Sequence, residues 1–118
     1  MNKRDQIIME QQNLKLYRTH IKGHMHPRRN VILISTANSL EHELEKLRIC
    51  YEIKKRGEVF ITEAYNKQND KIDVINISTG EETEIIKTHG EKKAIENDRT
   101  VVYVDKHGTT KEDIKAFM

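Results

Sequence analysis

Residues 71–88, KIDVINISTGEETEIIKT, read as two β-strands joined by a tight turn. Ile72, Val74, Ile75 and Ile77 form an apolar, β-branched run, Ser78-Thr79-Gly80 is a turn cluster, and Thr83 to Lys87 resumes with Glu84, Ile85 and Ile86. Two carboxylates interrupt this greasy hairpin, Asp73 near its start and Glu84 in its second strand. Burying either costs free energy unless something pairs with it, and a divalent cation serves two acids at once. The plainer alternative puts both on the solvated face of a half-buried hairpin.

Upstream, Glu58 to Tyr65 (EVFITEAY) reads as a strand burying Val59, Ile61 and Ala64, and Asn66 to Asp70 as a polar turn. Asn38 or Ser39 caps a helix running to about Arg56, with Leu40, Leu44, Leu47, Cys50, Tyr51 and Ile53 as its apolar face. Glu41, Glu43 and Glu45 suit its first turns, Lys54, Lys55 and Arg56 suit its C-terminal dipole, and Gly57 ends it. Val31 to Ile34 is either a short strand or the lead-in to that helix. Downstream come a short helix over 91–97, an apolar strand at Thr100 to Val104, and a final helix over 111–118 whose Ile114 and Phe117 dock on the sheet. Three consecutive strands and a helical crossover to a fourth predict an α/β fold, a mixed four-stranded sheet flanked by helices in the order α-β-β-β-α-β-α.

At 118 residues the chain has material for one core. A net charge of +2 conceals a basic segment: residues 15–30 hold Lys15, Arg18, Lys22, Arg28 and Arg29, three histidines and no acid. An anionic partner such as DNA would explain that segment. Residues 1 to about 16 carry an incomplete helical stripe (Ile7, Ile8, Leu14, Leu16), and Gly23 and Pro27 make 20–30 a loop. His20, His24 and His26 have chelating spacings but lack a nearby cysteine or acid to complete a zinc set. The single cysteine, Cys50, reads as a buried structural thiol in a reducing compartment. With no long apolar run at the N-terminus, the expectation is an intracellular, cytoplasmic protein.

The element order and three segments resemble the PD-(D/E)xK nuclease superfamily, the restriction-endonuclease-like fold that includes the archaeal Holliday junction resolvases. Ser39-Leu40-Glu41-His42-Glu43-Leu44 looks like that family's first-helix signature, Asp73 its motif aspartate, and Glu84 the glutamate of the (D/E)xK element. The resemblance covers about Asn38 to Met118 and divides the chain into a basic extension, 1–30, and a nuclease-like domain, 31–118. It implies Mg²⁺ or Mn²⁺ held by Asp73 and Glu84, with Glu41 as a further ligand and Glu43 its fallback. It also implies a homodimer; the basic side chains Lys22, Arg28, Arg29, Lys54, Lys55 and Arg56 would supply the phosphate contacts.

The lysine departs from the pattern. The family has Glu-x-Lys, whereas this chain has Glu84-Ile85-Ile86-Lys87, and strand parity sends Lys87 to the face opposite Glu84. A bulge at Ile85-Ile86 would bring Lys87 back into the catalytic set with Glu41, Asp73 and Glu84. Lys92, Lys93 or His89 would otherwise supply the charge. Glu63, in the preceding strand, is expected to pair with a basic side chain. The reading that follows is a metal-dependent endonuclease acting on DNA, including branched DNA. The alternatives are a non-cleaving nucleic-acid-binding module on the same fold, and an interaction protein with merely superficial acids.

Overall fold

The computed structural model describes residues 2–19, 25–87, 100–105 and 108–109, with backbone pairing alone for residue 87 and the last two segments. The described residues form an α/β structure of two helices and one sheet: α1 (Lys3–Leu14), α2 (Leu40–Lys55), β1 (Phe60–Tyr65), β2 (Lys71–Asn76), β3 (Glu81–Lys87), β4 (Thr100–Asp105) and β5 (Gly108–Thr109). The expected helices over 91–97 and 111–118 lie outside the described residues.

The strands lie in chain order, β1-β2-β3-β4-β5. The first three form an antiparallel meander, β4 runs parallel to β3, and the two-residue β5 turns back on β4. The sheet is therefore mixed, with one short strand more than the four expected. The turn between β2 and β3 is built by Asn76, whose side-chain oxygen accepts from the backbone N–H of Ser78 (3.0 Å) and Thr79 (3.2 Å). Gly80 closes it at φ +85°, a conformation that disfavours a side chain.

Alternation along the strands separates two cores. Phe60, Val74 and Ile85 meet Ile49, Cys50 and Ile53 of α2 on one face. Ile61, Ile75 and Ile77 meet Tyr17 on the other, with Leu14 from the end of α1 against them. Residues 2–19, part of the expected basic extension, contact the sheet through Leu14, Tyr17 and Arg18. Arg18 exchanges two backbone hydrogen bonds of 2.9 Å with Tyr65 of β1, and buried Glu10 accepts from Ser78 Oγ.

Two further expectations are corrected. Leu40, Leu44, Leu47 and Tyr51 do not face the core; each is at least half exposed, and α2 buries His42, Glu45, Lys46, Ile49, Cys50 and Ile53 instead. The helix carries two stripes of apolar residues, and the one beside β-branched sheet residues buries more completely. Val31 to Ile34 is neither a strand nor a helical lead-in. It runs along the edge of β1, held by Thr62 Oγ1, which accepts from Leu33 N–H (2.9 Å) and donates to the Val31 carbonyl (3.0 Å). Asn30 N–H donates to the Phe60 carbonyl at 2.8 Å, so the exposed edge of β1 is covered at both ends.

Candidate functional site

The β1–β2 ladder pairs Phe60↔Asn76, Ile61↔Ile75 and Thr62↔Val74, skips one position, and resumes at Ala64↔Ile72. The skipped residues are Glu63 and Asp73. Glu63 has φ +51°, a left-handed conformation unusual for a residue with a long side chain. Strict alternation from Phe60 and Val74 would send Ala64 and Ile72 toward α2, yet both pack with Ile61 and Ile75 on the other face. This local reversal turns both acids toward α2. The β2–β3 ladder also ends here, at Val74↔Thr83, and Asp73 Oδ2 takes over by accepting from Ile85 N–H at 2.8 Å.

On α2, the capping Ser39 side chain accepts from His42 N–H at 3.1 Å, which sets the first turn. His42 and Lys46, one turn apart, then meet the two acids side by side. His42 Nε2 lies 3.5 Å from Asp73 Oδ2, and its Nδ1 lies 3.0 Å from Glu43 Oε1. Lys46 is fully buried, donating at 2.8 Å to both the Leu33 carbonyl and Glu43 Oε2, with Glu63 Oε2 at 3.4 Å. Lys71, at the mouth of the cluster, reaches Glu63 Oε1 at 3.0 Å. Glu63 therefore pairs with basic side chains, as expected.

The electrostatics follow from these contacts. Burial works against a charged His42, but Asp73 and Glu43 outweigh it and raise the imidazole pKa above its ordinary value. Burial likewise opposes ionisation of Glu43, yet Lys46, Asn38, His42 and the Ser35 N–H hold its pKa down to about 2. The Glu63 hydrogen bond outweighs partial desolvation and raises the Lys71 pKa, so that amine is a fixed positive charge rather than a base. Three carboxylates (Glu43, Glu63, Asp73) face two lysines, Lys46 and Lys71, so a proton on His42 would balance the charge of the cluster.

The sequence-predicted residues are divided by this geometry. Asp73 is in the cluster. Glu84 alternates with Ile85, which faces α2, so it shares the opposite face with Glu82, whose Oε2 accepts from Tyr17 OH at 2.6 Å. Asp73 and Glu84 do not converge. Glu41 flanks the buried face of α2, and the side chain that meets Asp73 is the next one, His42. Glu43, the fallback, is committed to Lys46, Asn38 and Ser35. Lys87 ends β3 beside Val104, its side chain outside the described residues, as are Lys22, His89, Lys92 and Lys93.

Arg28 and Arg29 are exposed beyond the edge segment. Lys54, Lys55 and Arg56 lie at the far end of α2, about 18 Å along the helix from His42 at 1.5 Å per residue. Cys50 is fully buried, and burial pushes its thiol up to about 12, which excludes a reactive thiolate near neutral pH.

No group of three or more His, Cys, Asp or Glu side chains among the described residues has the arrangement of a metal site. Mg²⁺, however, asks the protein for only one or two carboxylates and takes its other ligands from water and phosphate. Glu63 has a carboxylate oxygen to offer, since its Oε2 is buried without a hydrogen-bond donor and its nearest cation is the 3.4 Å Lys46 amine, whereas Asp73 Oδ2 already accepts from Ile85 N–H. Sequence reasoning missed His42, Lys46 and Lys71. The available signal was a lysine embedded among the helical positions of Ile49, Cys50 and Ile53.

Among the described residues no helix is long and apolar enough to cross a membrane. No protein-family model, no curated protein and no solved structure matches the chain.

Proposed function

We propose that the protein is a metal-dependent endodeoxyribonuclease with a core resembling the PD-(D/E)xK fold, its site formed by Glu63 and Asp73 rather than by Asp73 and Glu84. The observation that carries this reading is the break opposite α2, which turns two acids to one face beside Lys46, Lys71 and His42. Glu63 and Asp73 would hold Mg²⁺ or Mn²⁺. When bound, the ion supplies Lewis-acid polarisation of a phosphate and a water of lowered pKa. Lys71, partly exposed and firmly protonated, takes the part of the family's lysine by binding the phosphate and offsetting its charge. Lys46 and His42 act through the acids, fixing Glu63 and Asp73 in place.

The test is cleavage of linear, single-stranded and four-way-junction DNA, with Mg²⁺ or Mn²⁺ against EDTA. Glu63→Gln, Asp73→Asn and Lys71→Met should each lower the rate by about a hundredfold or more. Glu84→Gln should leave it within a few-fold of wild type. Loss of cutting in Glu84→Gln alone would refute this site.

A second reading, a nucleic-acid-binding module without catalysis, is favoured by one observation: Glu84 and Asp73 lie on opposite faces of the sheet. DNA binding without metal-dependent cutting on any substrate would establish it. Under either reading, Arg28→Ala with Arg29→Ala should weaken DNA binding and reduce its salt dependence.

A further inference from the structure

The edge of β1 carries a small cavity whose walls follow from alternation along the chain. In the extended segment 31–34, Ile32 packs against the core under α2, and Ile32 and Ile34 both line a groove beside that helix. Val31 and Leu33 project the other way. There they meet Thr19, buried Pro27, Arg28 and Thr62 around a cavity of about 140 Å³. Thr62 fixes the segment, since its hydroxyl bridges the Leu33 N–H and the Val31 carbonyl. No acidic side chain lines the cavity. The Thr19 hydroxyl has no hydrogen-bond partner among the described residues. Arg28 and Arg29 are exposed, and among the described residues no ion pair engages either guanidinium.

We infer that this cavity holds one unpaired pyrimidine base of a DNA strand, with Arg28 and Arg29 on the phosphates of that strand. Size sets the ring. An apolar cavity of roughly 150 Å³ takes one benzene ring, so a pyrimidine fits and a purine leaves its second ring in water. Pro27, Val31 and Leu33 supply apolar contact, and the Arg28 guanidinium supplies a plane on which an unstacked base lies. The Thr19 hydroxyl donates and accepts, which suits the polar edge of the ring. Charge sets the occupant. An apolar slot alone would take any small ring, but Arg28 in its wall and Arg29 next in the chain select a ring joined to anions. A base inside a duplex is stacked and paired and cannot enter, so the DNA must present an unpaired nucleotide. Leu33 joins the cavity to the proposed reaction site: its side chain is a wall, and its carbonyl accepts from Lys46 Nζ at 2.8 Å. The inference rests on the DNA reading above, in its cleaving or its binding form, and adds which part of the DNA is read.

Binding of short single strands to the full chain, followed by fluorescence anisotropy in EDTA so that no cleavage intervenes, tests it. Each strand is a sugar-phosphate backbone carrying one thymine, one adenine or no base. The thymine strand should bind about tenfold or more tighter than the baseless strand, with adenine between them. Thr19→Phe, which fills the cavity, and Leu33→Ala, which removes a wall, should each erase most of the thymine preference. Both should leave the affinity for the baseless strand unchanged, which also shows that the variants are folded. Arg29→Ala should weaken all three strands alike. Equal binding of the three strands would overturn the inference and leave the DNA reading standing. So would a thymine preference that survives both cavity variants, or binding to duplex DNA but to none of these strands. Adenine bound as tightly as thymine would overturn the assignment to a pyrimidine. No binding to any of these strands, to duplex or to four-way-junction DNA would overturn the DNA reading and the inference with it.

Discussion

The two halves of the buried face of α2 cover the same sheet in opposite ways. Toward the C-terminus, Ile49, Cys50 and Ile53 meet Phe60, Val74 and Ile85 in a dry apolar contact. One turn earlier, Lys46 is as deeply buried as Ile49, yet it meets Glu43, Glu63 and a backbone carbonyl. The strands differ in step with the helix: β1 and β2 pair regularly beneath the apolar half and break at Glu63 and Asp73 beneath the polar half. Folding alone would be served by continuing the apolar contact, since well-packed hydrophobic residues commonly replace a buried ion pair without loss. A polar half with a broken ladder and a left-handed glutamate spends stability on something other than packing, and the proposed site rests on that observation.

The comparison is broken most severely by removing Lys46. Lys46→Ala leaves Glu63 and Glu43 without their buried cation and should cost about 3–5 kcal/mol in denaturant unfolding. Lys46→Met combined with Glu63→Gln removes the charges together and should recover much of that loss. If the double variant is as unstable as Lys46→Ala, the polar half is structural in its own right. Ile49→Ala, in the apolar half, should cost about 2–4 kcal/mol, and no second polar change nearby should rescue it.

The same contrast explains what was legible in the sequence. The meander was legible because runs such as Ile72–Ile77 and Phe60–Ile61 are β-branched or aromatic and bounded by turn residues. Strand Thr100–Asp105 was legible for the same reason. The buried face of α2 was misread because leucines at 40, 44 and 47 outweigh a stripe containing His42 and Lys46 on any hydrophobicity scale. Only the sheet decides which stripe it covers. The site was half legible: Asp73 and the pairing of Glu63 follow from acids lying in apolar strands. Alternation, however, assigns Glu63 and Asp73 to faces they leave, because nothing local announces a positive φ at a glutamate.

The polar half should also make stability depend on pH, whereas the apolar half should not. His42 titrates above 6.5 in the folded chain, so its contribution is complete below pH 6.5 and is lost as pH rises through the folded value. Glu43 has the opposite sign. Its folded pKa of about 2 lies below the ordinary 4.5, so its contribution is present above pH 4.5 and fades as pH falls toward 2. Melting curves from pH 3 to 9 should show losses at both ends. His42→Asn should flatten the slope above pH 6.5 and leave the acid limb; an unchanged slope would mean that His42 does not hold Asp73.

The smallest expected effect falls at the join between helix and site. Ser39→Ala removes the side-chain acceptor for His42 N–H and should cost about 1 kcal/mol, the ordinary value of a helix N-cap. The same hydrogen bond positions the backbone from which His42 reaches Asp73. Ser39→Ala should therefore weaken the raised pKa of His42, measured by NMR titration of the imidazole, by more than a generic loss of that size would. Ser39→Asp, which also caps, should restore both stability and titration. Asn2, the N-cap of α1, accepts from Asp5 N–H at 2.8 Å and serves as the control. Asn2→Ala should cost a similar amount and leave His42 untouched, because α1 lies on the opposite face of the sheet. Equal shifts in both variants would mean that His42 senses global stability rather than its own cap.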